Sequence, residues 1–121
     1  PLLHGRTAGQ PMSEPIDPQK AVDYMLKTAP RFAAARAQRL YLEEFRKSKK
    51  ALLMQQSAGK TVSEREADAY AHADYLGVLE GYQVAVEAEE TLRWRLKAAE
   101  MQVEIWRSKE ASNRTQDRVM R

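Results

Sequence analysis

Five cations on one predicted helix form a row that could grip a phosphate backbone. With Phe45 as reference and about 100° per residue, Arg46, Arg39, Lys50, Arg36 and Lys47 fall within an arc of about 100° on the far side. Lys49 lies nearer the core edge and can extend its ammonium outward. Only Glu43 intrudes, placed to bridge to Lys47 or Arg39. A row of this kind neutralises phosphates, releases their counterions and makes binding salt-sensitive. No helix-turn-helix spacing accompanies it. The chemistry expected is therefore sequence-independent binding, with single strands favoured where aromatics stack on bases. Tyr41 lies at the edge of the arc and also in an apolar stripe. The same row equally fits a segment that pairs with an acidic face of its own or of a second chain.

Other residues offer less. The histidines are His4, in an atypical N-terminal stretch, and His72, beside a predicted helix break where a capping or surface role is expected. Carboxylates such as Glu89 and Glu90 read as a charged helix face rather than an acid/base pair, and Glu64 and Glu66 suit a helix N-terminus. Ala58-Gly59-Lys60-Thr61 resembles the end of a phosphate loop, but that motif requires glycine where Met54 stands, so a helix stop and a turn are expected. Arg93-Trp94-Arg95 could stack a base, yet Trp94 also belongs to an apolar stripe. With no cysteine, neither disulfides nor thiolate metal sites are available. No catalytic residue, metal site or cofactor is expected, and the chain reads as a non-enzyme.

The charge is unevenly spread. The 121 residues carry 20 Lys+Arg and 17 Asp+Glu, a net charge of +3. Residues 31–60 carry eight cations and two acids, residues 61–104 ten acids and four cations, and residues 105–121 five cations and two acids. A basic segment, an acidic one and a basic tail are hidden in a small total, as polyanion binding or packing between chains would use. The length allows one small domain. Mean hydropathy is −0.67, and no stretch approaches the roughly 18 apolar residues of a membrane span. A cytoplasmic protein without membrane contact is expected.

These residues need helices to position them. Residues 1–11 are Gly- and Pro-rich and aperiodic, and Met12-Ser13-Glu14-Pro15 reads as a translation start, so 1–11 is a vector-derived leader or a disordered N-terminus and 12–121 a single helical domain. A first helix starts at Asp17, its N-cap, with Pro18 at the first helical position. It should stop near Thr28, because Pro30 disfavours helical geometry at Ala29. A second runs from Arg31 to about Ser57, burying Tyr41, Phe45, Ser48 and Leu52 with support from Leu42 and Leu53, and Gly59 ends it. Ser63 and Glu66 form a capping box for a short helix to about Ala71, and Asp74 is the next cap.

A long helix follows, from about Tyr75 to near Ser112. Tyr75, Val78, Tyr82, Ala85, Glu89, Leu92, Leu96, Ala99, Val103 and Trp106 alternate by three and four, a heptad-like seam. A second stripe holds Val84, Ala88, Thr91, Trp94, Ala98, Met101 and Ile105. Two apolar faces need two partners. Either the short first helix covers the second stripe, or copies of the chain meet there, with Trp94, Ala98, Met101 and Ile105 as the oligomer interface.

Several segments resemble a family of small tailed-phage and prophage proteins. They are residues 41–52 (YLEEFRKSKKAL), Glu64-Arg65-Glu66, Ala69-Tyr70-Ala71-His72, Leu92-Arg93-Trp94-Arg95-Leu96, Glu104-Ile105-Trp106-Arg107-Ser108 and Glu110-Ala111-Ser112-Asn113-Arg114. The resemblance covers about residues 12–121. The layout is also similar to UvsY-like recombination mediators: a basic helix, a polar turn with glycine, an acidic segment and a long C-terminal helix. That resemblance implies a helical, ring-forming oligomer that binds single-stranded DNA. Such proteins help load a recombinase onto DNA covered by single-strand-binding protein, in the bacterial host cytoplasm. It implies that Arg46, Lys47, Lys49 and Lys50 occupy the DNA-contacting run and that the long helix carries assembly.

The expectation is thus an all-α, elongated helical hairpin or bundle that self-assembles. It binds single-stranded DNA through Arg36, Arg39, Arg46, Lys47, Lys49 and Lys50, with a recombinase and a single-strand-binding protein as further partners. The competing expectation is a helical structural or adaptor phage protein whose charged faces serve protein contacts.

Overall fold

Helix-forming residues dominate the chain, and helices are what it forms. The computed structural model describes residues 15–120; the expected leader, 1–11, lies outside them. Three helices follow one another, α1 (Pro18–Gln56), α2 (Val62–Ala71) and α3 (Ala73–Met120), with no strand among the described residues. The all-α class and the long C-terminal helix are as the sequence indicates.

Helix α1 begins as expected. The Asp17 carboxylate accepts from the backbone N–H groups of Gln19 at 3.0 Å and Lys20 at 3.3 Å, and Pro18 is the first helical residue. The break expected at Pro30 does not occur: α1 runs through it for 39 residues. Proline removes the hydrogen bond its N–H would make to the Leu26 carbonyl and crowds that carbonyl with its ring. Pro30 is exposed, and the Ala-, Arg- and Leu-rich turns beyond it favour helix strongly enough to carry it.

The short helix starts two residues earlier than expected. Thr61, not Ser63, is the N-cap: its hydroxyl accepts from Glu64 N–H at 3.1 Å, while the Glu64 carboxylate reaches back to Lys60 N–H at 2.7 Å. This register satisfies the turn as well, because Arg65 Nε donates to the Gly59 carbonyl at 2.9 Å. A Cβ on Gly59 would stand 2.8 Å from Glu64 Cβ, so only glycine lets the turn close this tightly. Residues 57–61 are thus the expected turn rather than a phosphate loop. His72 ends α2, and its Nδ1 accepts from Asp74 N–H at 3.0 Å. His72 therefore caps the start of α3 in place of Asp74. Helix α3 continues to Met120, beyond the expected end near Ser112.

The chain divides into two compact units, residues 27–95 and a second that joins the α1 residues up to Leu26 with the α3 residues from Leu96 onward. In the 27–95 unit, Leu53, Ala69 and Tyr75 form a buried cluster with Met54 and Leu79 against it. Arg39, Arg46 and Leu53 succeed one another at heptad steps on α1 and meet Glu89, Tyr82 and Tyr75, at heptad steps on α3. The contacts run in opposite chain directions, so the two segments pack antiparallel along a coiled-coil-like seam. On α3, Tyr75, Ala85, Glu89 and Leu92 are buried, as its periodicity indicates, whereas Trp106, the last position of the expected seam, is exposed.

The α1 face differs from the one expected. Of the expected stripe, Tyr41 is 61% exposed and Ser48 and Leu52 are also exposed, while the supporting Leu53 is buried as expected. The stripe through Phe45 is rotated away from α3, where Tyr41 and Phe45 stack on each other with ring centroids 5.8 Å apart. Gly77 and Gly81 lie within α3 where a Cβ would meet open space, so each forgoes helix propensity worth about 0.8–1 kcal/mol relative to alanine. In the second unit Ala21 and Ala99 are buried, and Arg107 bridges Glu104 at 3.0 Å.

Candidate nucleic-acid interface

The phase of α1 decides which cations are available. Arg39 faces α3, where its Nε and Nη2 donate to the two carboxylate oxygens of Glu89 at 2.6 and 3.1 Å. Glu89 is 2% exposed and also accepts from Arg93 Nη2 at 3.0 Å. Arg39 donates further to Glu43 at 3.0 Å, and Arg93 to Glu90 at 2.9 Å while lying 5.2 Å from the Phe32 ring centre. Hydrogen bonds from Arg39 hold the Glu89 carboxyl below the usual carboxylate range despite its burial. Those to Glu89 and then Glu43 push the Arg39 guanidinium up. Arg39 is therefore part of the helix seam, and the arc of cations expected to face solvent together is divided.

The other five candidates sit as follows. Arg36 is exposed. Lys49 is half-buried with its ammonium 3.7 Å from Asp74. Arg46, Lys47 and Lys50 line one open pocket of about 580 Å³ with Ala51, Met54, Tyr70 and Tyr75. The Arg46 guanidinium lies 5.4 Å from the centre of the Tyr82 ring, which orients its planar fork without consuming its donors. Lys47 bridges Glu44 at 3.3 Å, both side chains well exposed, a contact that solvent and competing anions weaken readily. Lys50 is held at 2.6 Å by Glu66 and lies 4.5 Å from the Tyr70 ring centre. The hydrogen bond it donates to Glu66, then the Tyr70 contact, push its ammonium up, so it stays charged through neutral pH.

Tyr70 and Glu66, both on α2, are the residues the sequence reading did not place here. The turn at 57–61 sets where α2 lands on α1, and no spacing pattern announces that landing. Glu89 did carry a signal. It is the one charged residue among the apolar positions of the α3 seam, and a buried carboxylate requires a cation opposite. That requirement selects the Arg39 face of α1 over the Phe45 face.

The residues expected to join copies of the chain are all exposed. Trp94, in the 27–95 unit, is 63% exposed; Ala98, Met101 and Ile105, in the second unit, are exposed too. Among the described residues, no cluster of histidine and carboxylate side chains could hold a metal ion, and no helix is long and apolar enough to cross a membrane.

The 27–95 unit is a helical module with an open cation- and tyrosine-lined pocket. No protein-family model, curated protein or solved structure matches the chain.

Proposed function

We propose that this protein binds single-stranded DNA through the pocket lined by Arg46, Lys47 and Lys50, and that it acts as a recombination mediator that helps load a recombinase. The observation that carries this reading is the convergence of three cations with Tyr70 around one open pocket. Oriented cations neutralise phosphates, and an exposed tyrosine favours unpaired bases. Lys49 adjoins the site next to Lys50; Arg36, about 15 Å back along α1 from Arg46, does not line it; Arg39 positions α1 on α3. The similarity of layout to UvsY-like mediators supplies the role in recombination. No nucleotide hydrolysis is required for it, because the strand is held by its backbone.

Self-association through Trp94, Ala98, Met101 and Ile105 would multiply weak contacts per chain into avidity. The exposure of these four side chains along α3 supports that part of the reading. It equally supports a helical adaptor that uses the same stripe for protein contacts. Fluorescence anisotropy with a labelled oligonucleotide separates the two. DNA binding predicts saturable binding at low salt that weakens at higher salt and in a Lys47→Ala, Lys50→Ala double variant. No binding at low salt, or binding indifferent to both substitutions, rejects it in favour of the adaptor.

A further inference from the structure

Lys50 is the cation best placed in the pocket, yet its charge is already answered by Glu66. Helix α2 does not need that contact to stay in place. Ala69 is fully buried between α1 and α3. Thr61 caps the helix, Arg65 ties it to the Gly59 carbonyl, and Ser57 donates to Asp68. Four anchors thus fix α2 without Glu66. The Lys50–Glu66 pair is partly solvated, with side-chain exposures of 26% and 46%. A carboxylate held this close to a lysine on the rim of an open pocket presents the same chemistry as a phosphodiester oxygen: an anionic acceptor for an N–H donor.

We infer that Glu66 occupies the seat of a backbone phosphate and that a bound strand takes Lys50 from it. The inference rests on the proposed binding of DNA at this pocket, and it names how that pocket is regulated within the chain. In the free protein Glu66 cancels one of the three pocket charges. When a strand enters, its phosphate replaces the carboxylate at Lys50 Nζ, and Glu66, nearly half exposed, turns to solvent. Arg46 and Lys47 hold the neighbouring phosphates. Glu66 thereby lowers affinity for isolated anions, which cannot engage all three cations, more than for a strand, which can.

The test uses the full chain and a labelled oligothymidylate, with Glu66→Gln, Lys50→Gln and the double variant measured by anisotropy across salt. Glu66→Gln keeps the side-chain size and removes the competing charge. It should bind about threefold to fivefold tighter at low salt, the range expected for releasing a partly exposed ion pair. Its log–log salt slope should stay that of the wild type, because the same three phosphates are contacted in both proteins. Lys50→Gln should abolish that gain, so that the double variant matches Lys50→Gln alone. Circular dichroism of each variant confirms that α2 is retained. Wild-type protein that binds while Glu66→Gln binds no tighter overturns the role of Glu66 alone, as does a gain that survives Lys50→Gln. Failure of both wild type and Glu66→Gln to bind at low salt overturns the DNA reading itself.

Discussion

Replacing Glu89 tests the seam that fixes the phase of α1, and with it the division of the basic row. The carboxylate is 2% exposed and accepts three charge-assisted hydrogen bonds, at 2.6 and 3.1 Å from Arg39 and 3.0 Å from Arg93. Glu89→Gln preserves volume but removes the charge and turns one of the two acceptor oxygens into an amide donor that faces a guanidinium. Breaking one partner of a buried ion pair costs 3–5 kcal/mol, and the low end, about 3 kcal/mol, applies because both arginines retain Glu43 and Glu90. For a chain of this size that is a fall in Tm on the order of 12 °C or more.

The pH dependence has a fixed sign. A carboxyl whose folded-state pKa is lowered contributes stability above the unfolded value of about 4.3, and the contribution is lost as pH falls through the lower folded value. The gap in Tm between wild type and Glu89→Gln should therefore be full at pH 7 and shrink as the pH is taken below about 4.3. Replacing the network by apolar side chains, Glu89→Leu with Arg39→Met, should recover wild-type stability or exceed it. Thermal unfolding followed by circular dichroism reads all of these. A loss below about 1 kcal/mol for Glu89→Gln at neutral pH, the range of exposed pairs, refutes the argument. So does a gap that does not change with acid.

Other outcomes follow from individual contacts. Thr61→Ala should destabilise by about 1 kcal/mol through the lost N-cap, and Ser63→Ala should change stability little, in the same unfolding assay. Gly81→Ala should raise stability by about 0.5–1 kcal/mol, because the added methyl meets open space and improves helix propensity; a fall in Tm would mean that another surface approaches there. Trp94→Ser with Met101→Ser should lower the mass measured by light scattering if copies meet on α3, and a monomeric wild type at micromolar concentration would contradict self-association.

What the sequence revealed depended on whether the signal was local. The Asp17-Pro18 start of α1, the helix break at His72 and the apolar seam of α3 rest on caps and periodicity within one segment, and each appears in the structure. The continuity of α1 through Pro30 was not legible, because the bias of Pro30 against helical geometry at Ala29 is a strong local signal that the helix-forming turns around it override. The phase of α1 departs from its apolar pattern for a different reason. Hydrophobicity marks Tyr41 and Phe45 as buried, but the seam is partly ionic, and Arg39 enters it because Glu89 waits opposite. Three of the six candidate cations, Arg46, Lys47 and Lys50, were legible as a group and do meet at one pocket. The contribution of α2 was not legible, since Glu66 and Tyr70 reach Lys50 only through the turn that Thr61 and Gly59 shape.

In the proposed complex, Arg46 and Lys47 hold strand phosphates. The most direct measurement is the salt dependence of single-stranded DNA binding for wild type and for Arg46→Ala with Lys47→Ala, from about 50 to about 200 mM salt. Two lost phosphate contacts should weaken binding at every salt concentration and flatten the log–log slope by about 1.4, since each contact on a single strand contributes about 0.7. A slope and an affinity unchanged by the two substitutions would contradict the account.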